Sequence, residues 1–205
     1  MPETAADRRA RQQERRERRA AVTDPDVVLA AGAALLGMRA RTTHDLRARL
    51  AAMGYQPELV EETLQRLETL GYLDDAGFAR AWVASRDRGR PRGAAALRRE
   101  LTSKGLGRDL VDATLFERDQ EAASSGESDG APGPDAPPGT ADLVAASRLL
   151  ERRRAALERE PDLRKRRQRA YALLARNGFD PGICMEATRA SLSPDLVDED
   201  EAGQV

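Results

Sequence analysis

The sequence predicts an all-α protein built from three tandem three-helix repeats, and three observations support that class. Its 205 residues are rich in Ala, Leu, Arg and Glu, which favour helices, while aromatic side chains make up only 3%, too few to pack a pleated sheet. Apolar residues recur at spacings of three and four along most of the chain. Helix-stopping glycines fall in register: Gly54 and Gly105 stand 51 residues apart, and cap and core positions repeat with them.

Residues 1–23 are mostly Arg, Glu, Gln and Ala, a composition that buries too little surface to offset ordering entropy. They are expected as a disordered basic arm, either solvated or helical on an anionic surface. Asp24-Pro25 then reads as a cap followed by proline at the first helical position, with Val27, Val28, Ala31 and Leu35 on one face. Thr42, with Asp45 three residues on, resembles a capping box; Leu46 and Leu50 supply the stripe and Gly54 ends the helix. Gln56-Pro57 opens the next helix, carrying Leu59, Val60, Thr63, Leu64, Leu67 and Leu70. These helices form the first repeat, residues 24–72.

The second repeat, residues 73–118, follows the same plan. Asp74-Asp75 cap a helix bearing Phe78, Trp82 and Val83, and residues 87–93 read as a Gly-, Arg- and Pro-rich loop. A helix with Leu97 and Leu101 stops at Gly105, and another runs from Arg108 through Leu110, Val111, Thr114 and Leu115. At the offset of 51, Asp24 falls on Asp75, Leu46 on Leu97, Leu50 on Leu101, and Leu59-Val60 on Leu110-Val111. A diverged third repeat, residues 142–192, shows the pattern again in Leu174, Asn177-Gly178-Phe179, Asp180-Pro181 and Ile183-Cys184. Gly178 follows Gly105 by 73 residues, and the excess lies in residues 119–141, an acidic Pro/Gly/Ser-rich stretch expected as a disordered insert. Residues 193–205 form an acidic tail. Short helices are marginal alone, so each packs its stripe on its neighbours, and three such modules in a row predict an elongated, curved molecule.

Charge and composition narrow the function classes. Lys and Arg (34) nearly balance Asp and Glu (35), yet arginine crowds residues 8–19 and 148–169, so the formal charge of −1 conceals basic surfaces. One Cys and one His are too few for a zinc site or a disulfide, and neither metal nor cofactor is expected. The apolar run over residues 27–36 is half a membrane span, so no membrane association or targeting segment is expected and the cytoplasm is the expected compartment. Without a phosphate-binding glycine loop, metal-ligand spacing or nucleophile elbow, the chain does not read as an enzyme. His44 reads as a surface histidine and Cys184, in the register of Val60 and Val111, as a core residue. Trp82 is suited to core packing beside Phe78, with stacking on a nucleic-acid base as the other reading.

The second repeat carries Leu73-Asp74-Asp75, Phe78-Ala79, Val83, Arg86, Glu100-Leu101 and Lys104-Gly105. The first carries Arg41, Thr43, Asp45-Leu46, Leu50 and Gly54-Tyr55, ending in the Leu-Gly-Tyr-Leu junction over residues 70–73. In these motifs the chain resembles the RecX family of bacterial regulators of the RecA recombinase, departing from it in the acidic insert, the basic arm and residues 93–96. The resemblance implies a monomeric regulator, active in homologous recombination, DNA repair and the SOS response. Such a protein binds RecA and its single-stranded DNA filament and dampens strand exchange, ATP hydrolysis and co-protease activity. Weak direct DNA binding is a further expectation, and a stand-alone helical nucleic-acid-binding regulator is the alternative.

Two basic clusters are the candidate filament-binding residues. The first comprises Arg86, Arg88, Arg90, Arg92, Arg98, Arg99 and Lys104; the second comprises Arg164, Lys165, Arg166, Arg167 and Arg169, supported by Arg152, Arg153 and Arg154. Guanidinium groups pair bidentately with carboxylate or phosphate, so either cluster suits acidic recombinase surface or DNA backbone. The competing reading is that these side chains only solvate the outer faces of Ala-rich helices.

Overall fold

The computed structural model describes residues 4–124 and 139–192, and every regular element among them is an α-helix. In chain order these are α1 (Ala5–Ala20), α2 (Pro25–Met38), α3 (Thr43–Met53), α4 (Pro57–Thr69) and α5 (Asp75–Gly89). They continue as α6 (Ala94–Ser103), α7 (Arg108–Ser124), α8 (Thr140–Glu158), α9 (Leu163–Arg176) and α10 (Pro181–Ser191). The described residues gather into two compact units, one of residues 4–82 and 100–111, the other of residues 83–99, 112–124 and 139–192.

In the first unit α2, α3 and α4 enclose Val28, Leu46, Leu50, Tyr55, Val60, Leu64, Leu67 and Leu73, largely the stripes read from the sequence. Each large aliphatic side chain contributes about 1.5–3 kcal/mol by leaving water. Asp24 caps α2 through the Asp26 N–H, with Pro25 at the first position. Thr42 caps α3 by accepting from the Asp45 N–H at 3.1 Å. The capping box is only half formed, because the Asp45 carboxylate turns instead to the buried Arg41 at 2.6 Å. Arg41 also donates to the Leu35 carbonyl at 3.2 Å, tying the end of α2 to the start of α3.

That pairing holds the Asp45 carboxyl below its usual value, chiefly through the Arg41 hydrogen bond. A depressed folded-state pKa adds stability above the unfolded value, and this is lost as pH falls through the folded one. Asp45→Asn is expected to cost about 1–2 kcal/mol at neutral pH, since a hydrogen bond to a charged group is lost at a partly solvated site. In urea unfolding, the gap between variant and parent should narrow as the pH drops below 3.8.

The second unit buries Ala145, Ala146, Leu149, Leu150 and Leu157 of α8, Ala170 and Leu174 of α9, Phe179, and Cys184 and Ala187 of α10. Small residues let these helices approach closely, and Leu174 and Cys184 occupy the core positions the register assigned them.

The helix-closing glycines do more than stop helices. In the first unit Gly105 has φ +81°, and a Cβ there would strike the His44 side chain. Beside it, the Thr42 hydroxyl donates to the Lys104 carbonyl at 2.7 Å and the Thr43 N–H donates to Asp75 at 2.8 Å. In the second unit Gly178 has φ +83°, with a Cβ falling 2.5 Å from that of Ala96. There the Gly93 N–H donates to the Asn177 carbonyl at 3.1 Å and the Ala94 N–H to Asp142 at 2.9 Å. Gly93 and Ala94 lie 51 residues after Thr42 and Thr43, so the repeat extends to these joints.

Several boundaries differ from the expectation. Residues 5–20 of the arm expected as disordered form α1, opened by a Thr4–Asp7 capping box and supported by Arg18–Glu14 and Gln13–Glu17 pairs. Helix propensity and the cap outweigh the missing apolar face. Residues 87–89, expected in a loop, complete α5, and residues 119–124, expected in the insert, extend α7. The Asp119 carboxylate accepts from the Gly139 and Ala141 N–H groups at 3.2 and 3.0 Å and so opens α8. The rest of the insert, residues 125–138, and the acidic tail lie outside the described residues. Trp82 is half-buried: it stacks on Phe78 with ring centroids 5.9 Å apart and donates to Glu100 at 2.8 Å. Ala79 and Val83 are the buried residues of that helix.

Candidate functional site

Arginines far apart in sequence converge within the second unit. The carbonyls at the end of α5 lack intrahelical donors, and Arg152 of α8 reaches back to supply them, donating to Gly89 at 2.7 Å and to Arg88 at 2.5 Å. Arg92, in the following loop, donates to the Asn177 side chain at 2.7 Å, and Asn177 donates in turn to the Leu173 carbonyl. These bonds shape a groove of about 340 Å³ whose walls include Arg90, Pro91, Arg92, Leu149, Arg152 and Arg153. Arg92 and Arg152 build it. Arg90 and Arg153 are exposed on it and have no side-chain partner among the described residues, so their guanidinium groups remain available to an anion.

The remaining candidates divide the same way. Arg88 and Arg99 are exposed and Arg86 is half-buried. Arg98 is held by Asp112 at 2.9 Å, and Arg154 by Glu151 at 3.0 Å. Lys104 belongs to the first unit, where its ammonium lies 4.8 Å from the centroid of the Trp82 ring. On α9, Arg166 donates to the Glu160 carbonyl at 2.9 Å, Arg169 pairs with the Glu160 carboxylate at 2.7 Å, and Arg167 makes a long contact of 3.4 Å to the Leu192 carbonyl. Arg164 and Lys165 stay exposed in the first turn, unpartnered through their side chains among the described residues. No α9 arginine lines the groove.

Beneath the groove lies a charged cluster that sequence reasoning missed. Arg118, 7% exposed, makes a bidentate pair with Asp87 at 2.8 and 2.9 Å and a second pair with Asp142 at 2.6 Å. The Arg118 Nη2 that bonds Asp87 also lies 3.4 Å from the Arg92 carbonyl, so the cluster backs the groove wall. Burial works against the Arg118 cation, but its bonds to Asp87 and Asp142 outweigh that and raise its pKa. Burial also pushes the Asp142 carboxyl up, while the Ala94 N–H and Arg118 pull it down. The joint has a counterpart in the first unit, where Asp75 accepts from the N–H of Thr43, 51 residues before Ala94.

Among the described residues no cluster of His, Cys, Asp or Glu is arranged to hold a metal ion, and no helix is long and apolar enough to cross a membrane.

Two family models match: the first three-helix domain of RecX over residues 29–67 and the second over residues 74–115. The regulatory protein RecX of Deinococcus radiodurans is 37% identical over 164 residues, covering 80% of this chain and 68% of that protein. That of Streptomyces coelicolor is 31% identical over 163 residues, covering 80% and 76%. The crystal structure of RecX from Lactobacillus salivarius superposes with a TM-score of 0.65 at 14% identity, over 82% of this chain and 96% of that one. A second crystal structure of a RecX protein gives 0.59 at 20% identity, over 78% and 68%. With its two matched three-helix domains and relatives alike over most of their length, the chain belongs to the RecX family of regulatory proteins.

Proposed function

We propose that this protein binds the RecA recombinase and its single-stranded DNA filament and chiefly inhibits recombination, ATP hydrolysis and co-protease activity. It acts as a binding regulator, without catalysis, in DNA repair and the SOS response. The observation that carries this reading is the pair Arg90 and Arg153, unpartnered among the described residues on a groove whose other arginines are tied into the fold. Such groups meet acidic protein surface or phosphate with little reorganisation. Inhibition requires preferential binding to one arrangement of the filament, because equal affinity for two states shifts neither. Weak direct contact with DNA accompanies filament binding.

The test is RecA-dependent ATP hydrolysis on single-stranded DNA titrated with this protein. The native chain should lower the rate, and Arg90→Glu with Arg153→Glu should raise the half-inhibitory concentration at least about tenfold, the equivalent of about 1.4 kcal/mol. Charge reversal at Arg164 and Lys165 tests the α9 surface in the same assay. An unaffected rate with the native chain, or inhibition untouched by both reversals, would refute the assignment.

A further inference from the structure

The basic helix α1 lies outside both matched domains and carries its arginines in a pattern. Arg8, Arg11, Arg15 and Arg19 recur at spacings of three and four, the spacing an apolar stripe would have. Nothing on α1 is buried. With the end of α3, the helix bounds a groove of about 640 Å³ lined by six arginines, two glutamines, Ala52 and Met53, with no carboxylate among the lining residues.

The acids of α1 are engaged elsewhere. Asp7 serves the capping box, Glu14 pairs with Arg18 at 2.6 Å, and Glu17 accepts from Gln13 at 2.9 Å. Arg8, Arg9 and Arg15 have no side-chain partner among the described residues, although they share one groove and repel one another. The helix is nonetheless seated. Gly54, at φ +103°, leaves room for the Arg16 backbone, whose carbonyl would lie 2.8 Å from a Cβ there. Gln56 donates to the Ala20 carbonyl at 2.8 Å, and Arg19 lies 5.9 Å from the Tyr55 ring centroid.

We propose that the groove between α1 and the end of α3 binds the phosphodiester backbone of a nucleic-acid strand, through Arg8, Arg9 and Arg15. A membrane surface fits poorly, because a bilayer-bound helix needs a face of large apolar side chains, and α1 offers only alanine. A folded acidic partner would be anchored by aromatic or aliphatic side chains in desolvated pockets, and only Ala52 and Met53 line this groove as apolar residues. A polyphosphate needs neither: guanidinium and amide donors suffice to hold it, and released counterions drive the binding. This site deepens the direct DNA contact proposed above, and it is tested without recombinase so that the two readings fail separately.

The experiment is fluorescence anisotropy of a labelled oligothymidylate, and of a duplex, with the full chain over a salt series. The native chain should bind with a steep salt dependence. Arg8→Gln with Arg9→Gln and Arg15→Gln should flatten the single-strand slope by about 2, from three contacts at about 0.7 each, while lysine at the same positions should preserve it. Arg18→Gln, on a residue already paired with Glu14, should change the slope by less than half as much as the triple substitution. Because α1 buries nothing, these variants should fold, which circular dichroism checks. A slope unchanged in the triple glutamine variant, an equal loss from Arg18→Gln, or binding only to anionic phosphatidylserine vesicles would overturn the site. Absence of strand binding by the native chain would overturn it too, while filament inhibition in the ATPase assay would keep the recombinase reading standing.

Discussion

Arg118→Ala is expected to lower the stability of the second unit by about 3–5 kcal/mol, the usual cost of deleting one partner from a buried ion pair. The native guanidinium is shared between Asp87 and Asp142. Without it, Asp142 sits 5% exposed with only the Ala94 N–H left of these donors, and Asp87 loses both of its guanidinium bonds. Asp142→Asn should cost markedly less, since the amide oxygen can still accept from Ala94 and Arg118 keeps Asp87. Urea unfolding of the two variants beside the native chain measures the difference. Equal losses would mean that an amide cannot stand in for the carboxylate, so that the charge Asp142 sets against Arg118, not its cap on α6, is its main task. Because Arg118 also touches the Arg92 carbonyl, its removal should weaken filament inhibition along with stability.

Gly178→Ala is expected to cost about 2–5 kcal/mol, combining two penalties. A side chain at φ +83° pays about 1–2 kcal/mol for the left-handed conformation, and the new methyl would press on Ala96 at 2.5–2.7 Å, an overpacking penalty of about 1–3 kcal/mol. Gly71 separates the two. Its φ is +73°, yet a Cβ there meets nothing within 4 Å, so Gly71→Ala should show the conformational term alone. Thermal unfolding that ranked the two variants equally would show that the Gly178 joint yields.

The parts of this fold legible in the sequence are those that depend on local rules. The caps at Asp24 and Thr42, the stops at Gly54, Gly105 and Gly178, and the buried Leu46, Leu50, Leu97 and Leu101 all follow from backbone hydrogen bonding and helical spacing. What escaped involves residues whose partners are distant. Arg41 stands out in the sequence only as a motif residue and Arg118 not at all, because burial with a carboxylate cannot be inferred from one residue's type. Helix α1 was judged by its missing apolar face, although the Thr4-x-x-Asp7 box and the Glu14–Arg18 spacing were there to be weighed. Of the arginines put forward for binding, sequence could not separate Arg92 and Arg152, which hold backbone and side-chain partners, from Arg90 and Arg153, because that division is set by where α5 and α9 end.

The lone thiol has a practical consequence. Cys184 is fully enclosed, its sulfur 3.6 Å from the Phe179 carbonyl, and burial pushes its pKa above the ordinary thiol value. An alkylating reagent reacts with thiolate, and here it must wait for α10 to come away from α8 and α9. The modification rate in native buffer therefore counts those excursions without any engineered label, and ligands that clamp this half of the molecule would be seen as slower labelling.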